Sequence, residues 1–403
     1  MLIISMLFCI TACGTETVEA GAVNLSENVE PTAVKKQKIS DDFVTAQQDF
    51  ACGVFTAYYT PDKGNVNLSP YSLSFCLGIA ANGAQGDTLK EFEEVLMRGM
   101  KTEDWNPNMY NLMADNKETI IQADSLWIDK EHKEINNDFL SLAKGNFNAS
   151  VFSADFNENV AEHINKWVKE TTNGKIDGII KETFPNTAMY IANTVYLDKY
   201  WGSSHYESRV KIEEFTSLDK SKQNVKMMYC ILEAYKSAYI KQEDAEGFIK
   251  ALSGNCSFVA LMPDEDVLFG DYIASLNGEK LRRIINNSQK INVKSGMPYF
   301  KIENDIVFND TLKKMGIKKA YSSSSADFSK IGKGGLYLGR TNQKSSITVD
   351  VGGVRAAAAS GQEIIYRGLT EAEEKTVVLN RPFVYIILDK HNVPLFIGAV
   401  TAL

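Results

Sequence analysis

Apolar residues recur at helical spacing in the first half of the chain. Intervals of three and four residues predict two amphipathic helices, each with one apolar face. The face of the first helix is formed by Phe43, Ala46, Phe50, Val54 and Ala57. The face of the second is formed by Val160, Ile164, Trp167 and Val168. Asn173 and Gly174 are expected to end the second helix, because both accept the left-handed conformation that commonly terminates helices.

Two further helix starts are indicated by residues that can bind free backbone N–H groups. Ser69 precedes Pro70, and we expect it to cap a helix, because a first turn accepts proline. Thr88 and Glu91 have the spacing of a capping box just before the apolar residue Phe92. We therefore expect another helix to begin at Thr88.

Strands are predicted mainly in the second half of the chain. Apolar runs cover residues 189–197 and 258–262, and residues 383–388 and 395–400 form a predicted hairpin. Helices early and long strands late, without regular alternation, indicate an α+β domain with largely antiparallel sheets. No repeat, membrane span or interdomain linker is evident after residue 40, so residues 41–403 are assigned to a single domain.

Residues 351–361 form a run that is almost free of large side chains. One interpretation is a helical turn, since alanine has the best helix propensity. The other is a strand, in which Arg355 lies on one face. The opposite face would consist of Val354, Ala356, Ala358 and Ser360. Such a strand could enter between two existing strands without burying a charge.

Composition and charge exclude several classes of protein. With 403 residues, 44% of them hydrophobic, the chain can bury a large core. Its formal net charge of -8 argues against a surface that binds nucleic acid or a heparin-like polyanion.

The N-terminal sequence is typical of an exported lipoprotein. Residues 1–12 are largely apolar and end in Ile10-Thr11-Ala12, directly before Cys13 and Gly14. We expect cleavage before Cys13, acylation of that cysteine, and a lipidated tether over residues 13–40. A plain secretory peptide is the alternative. The tether would hold the domain roughly 30 Å from a membrane.

Export to a bacterial outer membrane or cell surface is therefore expected, with release to the extracellular space as a variant of it.

The cysteines within the predicted domain lie in apolar contexts without metal-binding spacing, and we expect buried free thiols, although export would permit a disulfide. They are Cys52, Cys76, Cys230 and Cys256.

Catalytic machinery is not evident in the sequence. The four histidines occur in no metal-binding motif, and no G-x-S-x-G nucleophile elbow is present. The run of serines at residues 322–325 has no positioned base beside it. We therefore predict no enzyme activity, no metal site and no cofactor.

Several separate blocks of sequence resemble the serpin family, over nearly the whole span from residue 41 to residue 403. The blocks are residues 65–72, 83–88, 164–168, 172–176, 191–196, 225–228, 326–329, 379–383 and 396–398. The resemblance implies an α+β serpin fold with about nine helices around three β-sheets. It also implies a five-stranded main sheet, called sheet A, and an exposed reactive loop.

The resemblance implies that the small-residue run is the hinge of this loop. In serpins a protease attacks the loop and forms an acyl-enzyme, and the cut loop then inserts into sheet A as a new strand. The expected partner is thus a protease held covalently, and we expect the inhibitor to be a monomer. The implied hinge residues are Gly352, Gly353, Val354, Arg355, Ala356, Ala357, Ala358, Ala359 and Ser360.

Counting from the hinge in the family pattern places the scissile bond between Arg367 and Gly368. This implies a trypsin-like serine protease or an Arg-specific cysteine protease as the target. Counting back from Asn380 instead places the bond near Glu371, because the second arm is about four residues longer than the family pattern. A second cut site that includes Lys375 is also left open.

The resemblance further implies a polar cluster, called the shutter, where sheet A opens, and a tryptophan at its upper end, called the breach. The implied shutter residues are Ser69, Ser72, Asn193 and Gln343, and the breach residue is Trp201. Val351, Val354 and Gln343 depart from the inhibitory pattern, in which glutamate, threonine or serine, and histidine are usual. A non-inhibitory, serpin-like binding lipoprotein is therefore the alternative function.

Overall fold

The fold was analysed in a computed structural model of the chain. The structure describes residues 21–132, 134–156, 160–180, 188–202, 209–232, 237–355 and 374–403. Cys13, residues 356–360 of the hinge and the bond between Arg367 and Gly368 lie outside the described residues.

Nine α-helices occur within these ranges. They are α1 (Asp41–Tyr58), α2 (Pro70–Gly83), α3 (Gly86–Val95), α4 (Thr102–Asn116), α5 (Asn137–Phe147), α6 (Val160–Thr171), α7 (Phe269–Ser275), α8 (Gly278–Asn286) and α9 (Asn309–Met315). Helix α1 begins after Ser40, whose Oγ accepts a hydrogen bond from the Phe43 N–H. In the described part of the chain, no helix is long and apolar enough to span a bilayer.

Two sets of strands are joined into one sheet. The first set, in spatial order, is β1 (Ala22–Asn24), β4 (Ser150–Ala154), β3 (Ile120–Asp129), β5 (Met189–Leu197) and β14 (Leu338–Arg340). The second is β13 (Phe300–Val307), β15 (Asn342–Asp350), β16 (Gly353–Arg355) and β6 (Lys199–Tyr200). Only Thr341 separates β14 from β15, and only Asp198 separates β5 from β6. We call the combined sheet the main sheet.

The main sheet thus has five principal strands, in the order β4, β3, β5–β6, β14–β15 and β13, as expected from the sequence. β1 is added at one edge, and β16 enters the interior. The second sheet is β2 (Val66–Leu68), β19 (Pro394–Val400), β18 (Phe383–Leu388), β11 (Cys256–Pro263), β10 (Ala245–Leu252) and β9 (Ser237–Lys241). The third is β17 (Glu374–Val378), β12 (Asn292–Pro298), β8 (Lys222–Leu232) and β7 (Val210–Thr216).

The main sheet separates two apolar clusters. The larger cluster lies between the sheets and helices such as α1 and α2, and most of the apolar face that the sequence periodicity predicts for α1 is buried in it. The smaller cluster lies under α6, where Ile164 and Val168 pack with Trp127, Phe152 and Tyr190. α6 therefore covers part of the outer face of the main sheet.

Helix α3 begins earlier than the sequence predicts. Its first residue is Gly86, at a φ of 56°, and Thr88 already lies within the helix. The Thr88 hydroxyl accepts a hydrogen bond from the Asp327 N–H, while Glu91 accepts from the N–H groups of Lys318 and Lys319. The predicted capping box is wrong, because tertiary contacts use both side chains.

The structure also differs from expectation in residues 21–40, which the sequence assigns to a tether. Strand β1 pairs antiparallel with β4, and the Lys144 ammonium donates to the carbonyls of Ser26, Glu27 and Val29 at 3.1, 3.1 and 2.9 Å. The sequence of this segment shows no helical or strand periodicity, because the segment is held mainly through its backbone, by strand pairing and by hydrogen bonds from one lysine. It lies against the domain.

Candidate functional site

Strand β16 lies between two principal strands at one end of the main sheet. Gly353 and Val354 pair with Tyr200 and Lys199 of β6 on one side. On the other side, β16 pairs with residues 348–350 of β15. It is antiparallel to both neighbours, so it occupies the place of an additional central strand.

The chain enters this place through a tight turn. Asp350 accepts a hydrogen bond from the Gly352 N–H at 2.7 Å, and its carbonyl accepts one from the Trp201 indole at 2.7 Å. Gly353 has a φ of 146°, and a Cβ atom there would lie 2.0 Å from the Lys199 carbonyl oxygen. Only glycine fits this position without a shift of the backbone.

The sequence-predicted hinge is therefore a strand where the structure describes it. Val354 is only 1% exposed and packs into the larger apolar cluster, as the small-residue face predicts. Val351, where the family usually has glutamate, is half-buried against the same cluster.

The position of Lys375 bears on the alternative cut sites. This residue lies in strand β17, which pairs in parallel with β12, and is opposite Val293. A protease needs an extended substrate whose backbone is accessible, and the backbone of a strand that is already paired in a sheet is less accessible. Glu371 lies outside the described residues.

A cavity of about 230 Å³ lies in the main sheet beyond the described end of β16. It is between β5 and β15, under the turn that follows α6. Its lining is formed by Lys175, Ile176, Asp177, Val195, Tyr196, Glu303, Lys344, Ser345 and Ser346. Space is therefore present where a strand continuing from β16 would run.

The other end of the boundary between β5 and β15 is closed. β14 pairs in parallel with β5, with Leu338 opposite Met189 and Arg340 opposite Tyr190. Next to this pairing, the Tyr190 hydroxyl donates a hydrogen bond to Asn342 Oδ1. We call the boundary between β5 and β15 the seam. It is parted at the β16 end and closed at the β14 end.

Three of the four predicted shutter residues meet beneath the seam. Gln343 binds both backbone groups of Ser69, accepting from its N–H at 2.7 Å and donating to its carbonyl at 2.9 Å. Ser69 Oγ donates to the Leu395 carbonyl and accepts from the Ser72 N–H. Glutamine thus satisfies this buried position, and Ser69 caps α2 as the sequence indicates.

The fourth predicted shutter residue, Asn193, binds a different partner. Its Nδ2 donates to Asp124 Oδ1, and Gln122 Nε2 donates to Asp124 Oδ2 at 2.7 Å. Burial raises the pKa of Asp124 to about 7, while the hydrogen bonds from Asn193 and Gln122 lower it. A carboxyl group that can change its charge near neutral pH therefore lies in the centre of the main sheet.

Trp201, the predicted breach residue, lies at the entrance of β16. Its ring packs edge-on against Phe258, with the centroids 5.5 Å apart. The Lys250 ammonium lies 4.2 Å from the centroid of the Trp201 ring, and burial lowers the pKa of Lys250 well below its usual range. The ring thus links the turn at Asp350 to a buried lysine of β10.

Sequence reasoning missed Asp124, Tyr190, Lys250 and Asn342. Asp124 could have been noticed as an acidic residue inside an otherwise largely apolar strand. Tyr190 and Asn342 gave no such signal, because a buried tyrosine and a strand asparagine are ordinary residues until they meet across the seam.

No metal site or disulfide occurs among the residues that the structure describes. In these ranges no group of three or more histidine, cysteine or acidic side chains is placed to hold a metal ion. Cys52, Cys76 and Cys256 are buried and free, as expected, and Cys230 is also buried. Burial raises the pKa of Cys52 to about 12, which leaves its thiol protonated and unreactive at neutral pH.

Comparison with known proteins agrees with this architecture. A family model described as "Serpin (serine protease inhibitor)" matches residues 45–403. The chain is 28% identical over 383 residues to intracellular coagulation inhibitor 2 of Tachypleus tridentatus, covering 92% of this chain and 93% of that protein.

Solved structures similar to this fold are also serpins, and one of these serpins has been solved in two conformational states. The fold is similar to that of tengpin, a thermophilic serpin, in its native state, with a TM-score of 0.87, 34% identity, and coverage of 95% of this chain and 100% of that one. For tengpin in the latent state the TM-score is 0.79, with 31% identity and coverage of 92% and 100%. The similarity is thus greater to the native state.

Proposed function

Because the chain belongs to the serpin family, we propose that it inhibits endopeptidases as a suicide substrate, with the bond between Arg367 and Gly368 as the bait. Serpins are typically protease inhibitors that bind their target proteases, rather than enzymes. The proposed targets are proteases that accept an arginine side chain in their primary pocket.

The proposed reaction begins as ordinary proteolysis. The nucleophilic oxygen or sulfur of the protease bonds to the Arg367 carbonyl carbon, the peptide bond to Gly368 breaks, and the Gly368 nitrogen leaves as an amine. The protease is then esterified or thioesterified to Arg367. Residues 356–366 then insert into the main sheet as a continuation of β16. This insertion carries the covalent bond along the sheet before water can hydrolyse it.

The observation that carries the proposal is the position of β16. Its three residues already pair with β15, Gly353 and Val354 also pair with β6, and Val354 already packs in the core. The cavity beyond β16 is lined by β5 and β15, the two strands that a longer insert would touch. Insertion therefore extends an existing strand and needs no new nucleus.

The energy available from insertion is sufficient for a mechanical effect. An added strand of about 12 residues forms hydrogen bonds with two neighbours, and each bond contributes about 1 kcal/mol net. The total of roughly 10 to 15 kcal/mol exceeds the few kcal/mol that maintain the geometry of a protease active site.

Trypsin provides the direct test. Mixing the protein with trypsin should give a complex that survives denaturant, with Arg367 as its new C-terminal residue by intact-mass analysis. The Arg367→Gln variant should form at least tenfold less complex, because its primary-pocket cation is lost. Lys333→Gln is the matched control, since Lys333 is 85% exposed and lies outside the hinge and the proposed loop.

Two results would change the proposal. Cleavage of the wild-type protein without any stable complex would contradict inhibition and favour the non-inhibitory, serpin-like binding protein. An undiminished trypsin complex with the Arg367→Gln variant would place the scissile bond after a different basic residue, the next one along the chain being Lys375.

We also propose that the protein is exported and anchored to a bacterial outer membrane or cell surface through acylated Cys13. The support is the sequence around Cys13, which lies outside the described residues. A Cys13→Ser variant should move from the membrane fraction to the soluble fraction, and the mature wild-type N-terminus should carry acyl mass. An unmodified N-terminus at another residue would contradict this proposal.

A further inference from the structure

The side chains of Tyr190 and Asn342 bridge the seam. The Tyr190 hydroxyl of β5 donates to Asn342 Oδ1 of β15, and Asn342 Nδ2 donates to the Ile179 carbonyl at 2.9 Å. Tyr190 and Asn342 are 5% and 6% exposed. We call these two side chains and the Ile179 carbonyl the seam bridge.

The seam bridge also involves α6. Ile179 follows this helix, and its N–H donates to Asn165 Oδ1 at 2.8 Å, as does the N–H of Ile180 at 3.0 Å. Asn165 Nδ2 donates to the Ile180 carbonyl at 2.6 Å. The segment after α6 is thus fixed to the helix by one asparagine and to β15 by another. Parting the seam at this point requires a shift of this segment or loss of its bond to Asn342.

The bridge has a defined position along the seam. β16 occupies the open end, next to residues 199–200, and the cavity follows beside Val195 and Tyr196. The bridge comes next, at Tyr190, and the pairing of β14 with β5 comes last. The part of the seam before the bridge is therefore already open, whereas the part beyond it is closed.

The register of β16 relates this position to the loop sequence. Arg355 pairs with Thr348, so each further residue of an inserted strand would pair one position earlier in β15. Residue 361 would then lie opposite Asn342. The run of small residues ends at Gly361, and larger side chains follow from Gln362 to Arg367. The small residues match the open part of the seam, and the larger ones would arrive at the bridge.

We propose that the seam bridge divides insertion into two stages and sets the rate of the second, in which residues beyond 361 enter. This inference rests on the proposed function, because it concerns the same insertion. In the first stage the strand fills a space that exists. In the second stage the Tyr190–Asn342 bond must break and the segment after α6 must move, so the bridge acts as a barrier to complete insertion.

The test uses the whole uncleaved protein and a synthetic peptide with the sequence of residues 353–366. The rate at which the peptide is incorporated is followed on native gels for wild type, Tyr190→Phe and Asn342→Ala. Loss of one buried hydrogen bond should accelerate incorporation roughly fivefold to tenfold. The double variant should be little faster than Asn342→Ala, because both changes remove the same bond.

Tyr272→Phe is the matched control. Tyr272 is a 1% exposed tyrosine of α7, and in the described part of the chain its hydroxyl has no hydrogen-bond partner. This variant should incorporate the peptide at the wild-type rate. Once the peptide is bound, Tyr190→Phe and wild type should melt at the same temperature, because the bridge is already broken in that form. If the Tyr190 hydroxyl had only a structural role, Tyr190→Phe would melt at a lower temperature than wild type both without and with the bound peptide.

A second readout does not require insertion. Hydrogen–deuterium exchange of residues 344–346 in the protein alone should be faster in Tyr190→Phe than in Tyr272→Phe. Equal exchange, or equal rates of peptide incorporation, would overturn the seam bridge while leaving the proposed function intact. Failure of every form to incorporate the peptide, with no gain in heat resistance after loop cleavage, would overturn the proposed function and the two-stage insertion with it.

Discussion

At the scale of single residues, Asp124 is the most consequential titratable group of the main sheet. Its carboxylate accepts from Gln122 and Asn193, yet among the described residues the Gln122 and Asn193 side-chain oxygens have no donor. Tyr71 and Cys76 of α2 face it, and burial raises the pKa of both well above their usual ranges. Asp124 is thus the group of this cluster that titrates near neutral pH.

We expect Asp124→Asn to stabilise the protein above pH 7 and to have little effect at pH 4. The folded-state pKa of Asp124, about 7, lies above its ordinary value of 3.8, so the fold favours the protonated form. That contribution is complete below about pH 4 and is lost as the pH rises to 7. At pH 8 the variant should gain roughly 2 to 4 kcal/mol in free energy of unfolding.

The amide of the variant could also donate to one of the two unpartnered oxygens, which adds to the expected gain. Thermal unfolding at pH 4 and pH 8 measures the effect. Asp266→Asn, at an exposed position, is the control. Parallel pH profiles for wild type and Asp124→Asn would contradict the assignment.

At the scale of elements, the three residues of β16 depend on one glycine. A Cβ at position 353 would lie 2.0 Å from the Lys199 carbonyl oxygen and 2.8 Å from the Tyr200 Cα. We expect Gly353→Ala to displace β16 from between β15 and β6, because the obstructing atoms belong to the backbone. Val354 would then lose its buried position, so the melting temperature should fall and the amides of residues 348–350 should exchange faster.

Gly335→Ala is the matched control for this change. Gly335 also has a positive φ, of 69°, but no atom lies within 4 Å of the added Cβ. Both variants incur the cost of the backbone conformation, whereas only Gly353→Ala incurs the clash. Equal losses of stability in the two variants would show that β16 is not held as described.

Local patterns predicted the elements well where one residue type decides the backbone. Asn173 and Gly174 end α6 with φ values of 52° and 73°, and the hairpin of β18 and β19 lies where the apolar runs indicate. Patterns failed where a distant partner decides. Thr88 and Glu91 have capping-box spacing, but their partners, Asp327 and Lys318–Lys319, come from a remote part of the chain.

At the scale of the whole molecule, sequence blocks were sufficient for the family and the fold, and the similarity to known serpins confirms both. The state of the main sheet could not be predicted in the same way. Whether β5 pairs with β14 or faces β16 depends on contacts such as Tyr190 with Asn342, which are 152 residues apart. Asn193 illustrates the same limit, since its partner, Asp124, lies on a neighbouring strand and outside every recognised block.

The segment held by Lys144 has a practical consequence for where the protein can be shortened. The family model begins at residue 45, but packing is already present upstream of it, since Ala22 is 6% exposed and the Val151 N–H donates to Ser26 Oγ. A version cut at the family boundary would leave the edge of β4 bare and the Lys144 ammonium without its three carbonyl acceptors. Exposed strand edges promote association between chains, so a well-behaved soluble version should retain residues from Gly21 onward.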